Sequence, residues 1–266
     1  MVNRGVEITL SGEIIRQKDF SWNASLLYAF NRNKVKHISV QPSLWDSRIS
    51  MPTSYPMVGK PLYGIYAYKW AGLNENGDPQ VYDAENNVTS GPARDYHALV
   101  YCGTTVPIHN ASLTNVLRYK GLEFSAMLIL DAGHKLRSSN IPSINMSNGR
   151  ITSTAKGIVD RWTQPGDVTD VPRLLFSNDT ENFNTHRTEL YRYSDLFVYD
   201  ASNIRLSNIS LAYRVPAHWC KKISLSGARL QFNVENVATF AFDSKANYDL
   251  GGKVKPNYVW GLYLNF

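Results

Sequence analysis

Asn257-Tyr258-Val259-Trp260-Gly261-Leu262-Tyr263-Leu264-Asn265-Phe266 closes the chain with a regular alternation of side chains. Tyr258, Trp260, Leu262, Leu264 and Phe266 stand at every second position. Side chains of a strand alternate between its faces, so these five share one side, while Val259, Gly261, Tyr263 and Asn265 take the other. The sequence halts on an aromatic residue with no polar tail after it. In water, an exposed apolar terminal strand of this kind invites edge pairing and aggregation. An outer-membrane β-barrel accepts such an ending, because its last strand closes the sheet and turns the apolar face to lipid. A soluble β-sandwich accepts it as a core strand.

The same alternation returns along the chain. Val6, Ile8 and Leu10 oppose Glu7, Thr9 and Ser11, and after the polar turn Gln17-Lys18-Asp19 come Phe20, Trp22, Ala24, Leu26, Tyr28 and Phe30. Two alternating runs on a short polar turn predict a hairpin. A second hairpin is predicted around Lys120-Gly121, with Leu113, Leu117 and Tyr119 before it and Leu122, Phe124, Ala126, Leu128 and Leu130 after it. Ile204 and Leu206 are followed by Ile209, Leu211, Tyr213 and Val215. The phase slips by one near Ser207-Asn208, which predicts a β-bulge, because otherwise the apolar set would change faces. Pro216 ends that run, and Leu230, Phe232 and Val234 then alternate with Arg229, Gln231, Asn233 and Glu235. A loop containing Gly251-Gly252 leads to the terminal strand.

Seven long strands result, at about 4–16, 20–32, 111–119, 122–132, 203–215, 228–237 and 257–266. Their connections run short, long, short, long, short, intermediate. Bacterial barrels sort their connections in this way, with short turns on the periplasmic side and long loops outside, and that assignment puts Phe266 at the periplasmic end. Seven is odd, whereas single-chain bacterial barrels close with an even number. The segments are therefore expected to belong to a larger barrel. The N-terminal residues after Met1 read as a strand and not as a signal peptide, so a longer parent chain is expected.

The long connections carry Pro42, Pro52, Pro56, Pro61, Pro79, Pro92 and Pro107, and connections of such length are uncommon unless functional. Gly64 to Trp70 is expected to form a short local strand and Ser153 to Trp162 a short helix stopped by Gln164-Pro165-Gly166. Asn74-Glu75-Asn76-Gly77-Asp78 has some look of a calcium loop but lacks the distal glutamate, so a plain turn is expected. Tyr55, Tyr63, Tyr66, Tyr68, Trp70 and Asn74 offer rings and amides suited to stacking on sugars. Loop packing explains them as well, and none is assigned to a binding site.

Composition bounds the rest. At 266 residues the chain makes one large domain or two small ones. Aromatic residues are 12%, a share that suits strands and interfacial girdles. No run of about 18 apolar residues exists, so a transmembrane helix is excluded. The net charge is +6, yet the basic residues are dispersed, densest at Lys34–Lys36 and Lys221–Lys222, and form no stripe of the kind that tracks a nucleic-acid backbone. Cys102, Cys220 and the six His residues lack metal spacing, so no metal or other cofactor is expected. No nucleophile elbow or paired-acid motif points to an enzyme.

Several short pieces, in their order and spacing, carry a resemblance. They are Asn3-Arg4-Gly5-Val6-Glu7-Ile8, Asp19-Phe20-Ser21-Trp22, Asn31-Arg32-Asn33-Lys34-Val35, Tyr119-Lys120-Gly121, Arg161 to Asp167, Val171-Pro172-Arg173, Asp200 to Tyr213, Asn233-Val234-Glu235-Asn236 and Gly261 to Phe266. Together they cover essentially the whole chain. It resembles the C-terminal part of the SusC/RagA family of TonB-dependent outer-membrane transporters. The resemblance implies an all-β fold, the C-terminal portion of a large transmembrane barrel of about 22 strands. It also implies import of oligosaccharides or other nutrients, peptides included, driven by the TonB–ExbB–ExbD complex under a SusD-like lipoprotein lid. Residues 1–266 would be a barrel segment without the plug domain and the N-terminal strands, and open sheet edges in lipid mean that it is expected not to work alone.

On this reading Tyr258, Trp260, Leu262, Leu264 and Phe266 form a signal read by the barrel-assembly machinery through strand addition. Arg229, Gln231, Asn233 and Glu235 are the lumen-facing candidates, and outer-membrane lipid meets the opposite side. Two other architectures remain open. One is a small complete barrel, a porin or adhesin, with an eighth strand in Leu190–Tyr199 or Gly64–Trp70. The other is a soluble carbohydrate-binding β-sandwich.

Overall fold

A computed structural model describes residues 1–39, 47–91, 95–146, 155–176, 185–251 and 255–266. The chain divides into two compact units. The first is residues 1–2, 33–106 and 135–199, and the second is 3–32, 107–134 and 200–266. Pro42, Pro92, Gly252 and the first two residues of the helix expected at Ser153–Trp162 lie outside the described residues.

The second unit is built on one antiparallel sheet of seven strands: β1 (Val2–Arg16), β2 (Phe20–Lys34), β3 (His109–Tyr119), β4 (Leu122–Ala132), β5 (Asn203–Arg214), β6 (Gly227–Ala241) and β7 (Asn257–Asn265). Spatial order equals sequence order, β1-β2-β3-β4-β5-β6-β7, an up-and-down meander in which sequential strands are neighbours even across the long connections. The expected strands are all present, with ends moved by a few residues. The expected slip is also present. Between Leu206 and Asn208 of β5 the register shifts against both β4 and β6, and Asn236 on β6 takes the left-handed conformation, φ +54°. The sheet is open among the described residues, with β1 and β7 at its two edges.

That openness corrects the small-barrel alternative. Gly64–Tyr68 pairs with Leu99–Thr104 and not with the seven-stranded sheet. Leu190–Tyr199 is no strand either: the helix Thr185–Arg192 covers its start, and only Val198–Asp200 is extended. Their apolar residues are needed elsewhere, which is why neither completes a barrel.

The first unit has what the sheet lacks, a dry core. Tyr66, Tyr68, Val81, Ala98, Leu99 and Leu190 form one buried cluster, and Ile144, Tyr191 and Phe197 form another. Short strands frame them: Gly64–Tyr68 with Leu99–Thr104, Trp70–Leu73 with Pro79–Tyr82, and Asn145–Met146 parallel to Leu175–Phe176. The helix expected at Ser153–Trp162 is, where described, a 3₁₀ turn at Lys156–Asp160.

An ionic pin ties distant parts of this unit together. Asp78 accepts from Arg173 Nη2 at 2.7 Å and from Arg187 Nε at 3.1 Å. Arg187, 3% exposed, also donates to the carbonyls of Ile144 and Arg173. Burial lowers the pKa of Arg187, and Asp78, the next largest influence, opposes that shift. The segment Asn74–Asp78 is a turn, as expected: Asn74 Oδ1 accepts from the amides of Asn76 and Asp78. Gly77 has φ +73°, and a Cβ there would lie 2.4 Å from the Trp162 ring. Glycine is needed on both counts.

Candidate functional site

The sheet presents two chemically opposite faces, and register assigns each residue to one of them. On one face Phe232 stands opposite Leu211 and Trp260, Leu230 opposite Tyr213 and Leu262, and Val234 opposite Ile209 and Tyr258. The row continues through Phe124 beside Leu211, Leu117 beside Phe124, and Trp22 beside Leu117. The Phe232 ring lies 4.2 Å from that of Trp260, a cross-strand aromatic pair that adds to sheet stability. These side chains are not in a core. Leu10 is 61% exposed, Leu230 50%, Trp260 78% and Leu262 62%. A shallow groove of about 370 Å³ runs between Leu211, Leu230, Phe232, Trp260 and Leu262. A soluble sandwich would cover this face with a second sheet; among the described residues no second sheet of that size exists.

Polar atoms on the apolar face are matched to one another. The Trp22 indole N–H donates to Asn115 Oδ1 at 3.1 Å, and the Tyr28 hydroxyl is 2.8 Å from His109 Nδ1. An amide left unpaired on a surface without water would cost several kcal/mol.

The opposite face is polar. Arg118 and Arg229 both donate to Glu123, at 2.7 and 3.2 Å. Gln231 donates to Asn233 Oδ1 at 3.0 Å and to Ser210 at 3.4 Å, and Glu235 accepts from Asn257. Asp131 accepts from Asn110 at 2.7 Å and from Arg205 at 2.9 Å. Arg229, Gln231, Asn233 and Glu235 are thus brought together on one surface. Glu123 and Asp131, each holding two donors, are the organising residues that the sequence reading missed. The signal for them was present, since both sit among the polar members of an alternating strand.

Tyr258, Trp260, Leu262 and Leu264 occupy one side of β7, in register with Val234, Phe232, Leu230 and Ala228. Phe266 follows the strand and is 92% exposed, and its carbonyl accepts from Ser226 Oγ at 3.3 Å.

The aromatic loop residues divide. Tyr66 and Tyr68 are buried and belong to the core of the first unit, so they have no face to offer a sugar. Trp70 donates from its indole to Asp170 at 2.9 Å. Arg137 closes this core by donating to the Tyr66 carbonyl at 2.7 Å and to that of Ser194 at 3.2 Å. Burial lowers its pKa and raises that of Tyr66. Burial also pushes the Cys102 thiol up to about 11, so it stays protonated at neutral pH and is a poor nucleophile. Cys102 and Cys220 are both unpaired. Among the described residues no group of three or more His, Cys, Asp and Glu could hold a metal ion.

No protein-family model matches the chain. It is 24% identical over 281 residues to TonB-dependent receptor P3 of Formosa agariphila, covering 98% of this chain and 27% of that protein. It is 25% identical over 244 residues to TonB-dependent receptor P26 of the same organism, covering 85% and 23%. The chain therefore spans about a quarter of the length of the curated relatives it matches. In fold it is similar to a chain of the RagAB peptide transporter, with a TM-score of 0.72 at 22% identity, over 99% of this chain and 29% of that one. The RagAB peptide importer in its open-open state gives 0.68 at 21% identity, over 99% and 28%. The chain is thus similar in sequence to TonB-dependent receptors and in fold to a segment of a RagA-type transporter, in line with the SusC/RagA resemblance, whose pieces lie in its strands and its long connections alike.

Proposed function

We propose that residues 1–266 are the C-terminal barrel segment of a TonB-dependent outer-membrane importer of the SusC/RagA type. The parent protein would import oligosaccharides, peptides or related nutrients with energy from TonB–ExbB–ExbD, under a SusD-like lipoprotein. The segment has no catalytic role in this reading. One observation carries it: seven consecutive strands expose a continuous apolar face while their polar face is internally hydrogen-bonded. Water penalises that arrangement and a bilayer favours it. The parentage of the relatives and the RagAB fold support the same reading.

In this reading the apolar face meets lipid and the polar face, with Arg229, Gln231, Asn233 and Glu235, lines the lumen. The end carrying the turns Gln17–Asp19 and Lys120-Gly121 is periplasmic, together with Phe266, and β7 carries the assembly signal. The test is to express the parent barrel protein in a host with and without TonB. Heat-modifiable migration on a gel and TonB-dependent uptake of oligosaccharide or peptide are expected. A protein that remains soluble without detergent, or uptake unaffected by loss of TonB, would overturn the proposal.

A further inference from the structure

The end of the sheet that carries the short turns is not uniform. Residues 17–19 and 120–121 are tight turns, but residues 215–226 between β5 and β6 hold the helix Ala217–Lys221, introduced by Pro216. The connection is folded on its own small interior. Cys220 and Leu225 are buried, Leu225 N–H donates to the Cys220 carbonyl at 3.0 Å, and Ser224 reverses the chain at φ +59°. What it leaves outside is unusual. Trp219, on the helix, is 55% exposed, and Ile223, in the turn that follows it, is 68% exposed. Lys221 and Lys222 are exposed beside them. No acidic side chain occurs between Asp200 and Glu235.

We infer that this connection is an interfacial anchor for anionic phospholipid headgroups. The inference rests on the outer-membrane reading above. Its position carries the argument: Tyr213 and Leu230 are the apolar-face pair nearest this end of β5 and β6, so the apolar face of the sheet leads directly to the connection. An indole at the junction between an apolar band and water sits where tryptophan is enriched in membrane proteins. Ammonium groups beside it match headgroup phosphates in sign, and each basic residue near an anionic membrane surface strengthens binding about fivefold. Trp219 and Ile223 supply the apolar contact and Lys221 and Lys222 the selectivity for charge. The turn at 120–121 carries a smaller set, with Tyr119 and Leu122 exposed and a single lysine, Lys120, over the Tyr119 ring, so the connection with two lysines would hold the β5–β6 end at a fixed depth.

The experiment uses the intact barrel protein containing this chain, purified in neutral detergent. Phosphatidylglycerol and phosphatidylcholine are titrated in parallel, bound lipid is counted by native mass spectrometry, and heat-modifiable migration is recorded for each variant. Phosphatidylglycerol is expected to bind preferentially. K221Q/K222Q should weaken it about 25-fold with migration unchanged, and Ile223→Ser should weaken both lipids. Equal binding of the two lipids, full retention of the preference in K221Q/K222Q, or displacement of phosphatidylglycerol by inorganic phosphate at millimolar concentration would overturn the inference. Should the double variant lose heat-modifiable migration, the single variants Lys221→Gln and Lys222→Gln are read by the same criteria. Absence of heat-modifiable migration in the unsubstituted protein would instead count against the outer-membrane reading itself.

Discussion

The two units use the same kinds of apolar residue in opposite ways. In the first, Tyr66, Tyr68, Val81, Leu99 and Leu190 are withdrawn from solvent around a core closed by an Asp78–Arg173–Arg187 pin. In the second, Leu10, Leu230, Trp260 and Leu262 stand exposed while arginines and carboxylates pair on the other face. Among the described residues its buried apolar side chains are few and mostly small: Ala201, Ala212, Cys220, Leu225 and Ala246. The lesson concerns solvent. On the outer-membrane reading proposed above, a region surrounded by water must make its own apolar interior, whereas a strand wall against hydrocarbon needs none and spends its hydrogen bonds on its polar side.

The sharpest way to break the contrast is to disturb one unit alone. Arg187→Leu removes one of the two arginines on Asp78 and the donor to the Arg173 carbonyl, while Arg173 stays on Asp78 and Leu175 N–H stays on the Ile144 carbonyl; with several hydrogen bonds to a charged group lost, at about 1.5–3 kcal/mol each, the cost is roughly 3–5 kcal/mol. Limited proteolysis should show the first unit opened while heat-modifiable migration of the barrel persists; simultaneous loss of both would contradict their independence. Leu262→Arg makes the reciprocal attack. It should cost roughly 2–4 kcal/mol in a bilayer if Leu262 lies near the midplane, read as reduced insertion with the first unit's protease resistance intact. Unchanged insertion would count against a lipid-facing role.

Smaller substitutions sharpen the same division. Gly77→Ala combines a positive φ with a clash against Trp162, and should destabilise the first unit by over about 1 kcal/mol. Thermal unfolding followed by Trp fluorescence would measure it. Trp22→Phe keeps the ring but leaves Asn115 without its indole donor, for about 0.6–2 kcal/mol in a membrane; in denaturant titrations of reconstituted protein, a larger penalty in lipid than in detergent is expected. The smallest effect is pH-dependent. Burial, the main influence, holds His134 below its ordinary 6.5, against the opposing pull of Asp131 and Asp200. The unfolded chain therefore takes up the proton first as pH falls below about 6.5, so stability should decline there and level off once the folded form is protonated as well. His134→Gln should flatten that slope.

Much of the sheet was legible because its signal is local. Strict alternation in Phe20–Phe30 and Leu122–Leu130 specifies both a strand and its two faces, and even the bulge at Ser207-Asn208 showed as a slip of phase. The first unit was not legible for the opposite reason. Tyr66 and Tyr68 look like exposed loop aromatics until Leu99 and Leu190, far along the chain, cover them. The partners of Asp78 are 95 and 109 residues away, and no local pattern announces such a pairing. The segment Leu190–Tyr199 illustrates the same limit: its residues read as a strand, but helix Thr185–Arg192 needs Leu190 and Tyr191 for the two buried clusters. The connection 215–226 counted as a short turn by position, and only its fold brings Trp219 and Ile223 to the outside.

Local sequence alone was therefore enough for the seven strands, for the assignment of their residues to an apolar and a polar face, and for the resemblance to TonB-dependent outer-membrane transporters. A period of two is written in neighbouring residues and needs nothing distant to be read. It took the folded chain to show that the long connections build a cored unit of their own and that Glu123 and Asp131 organise the polar face. Those outcomes depend on which remote side chains exclude water from one another, and that is settled by the packing of the folded chain.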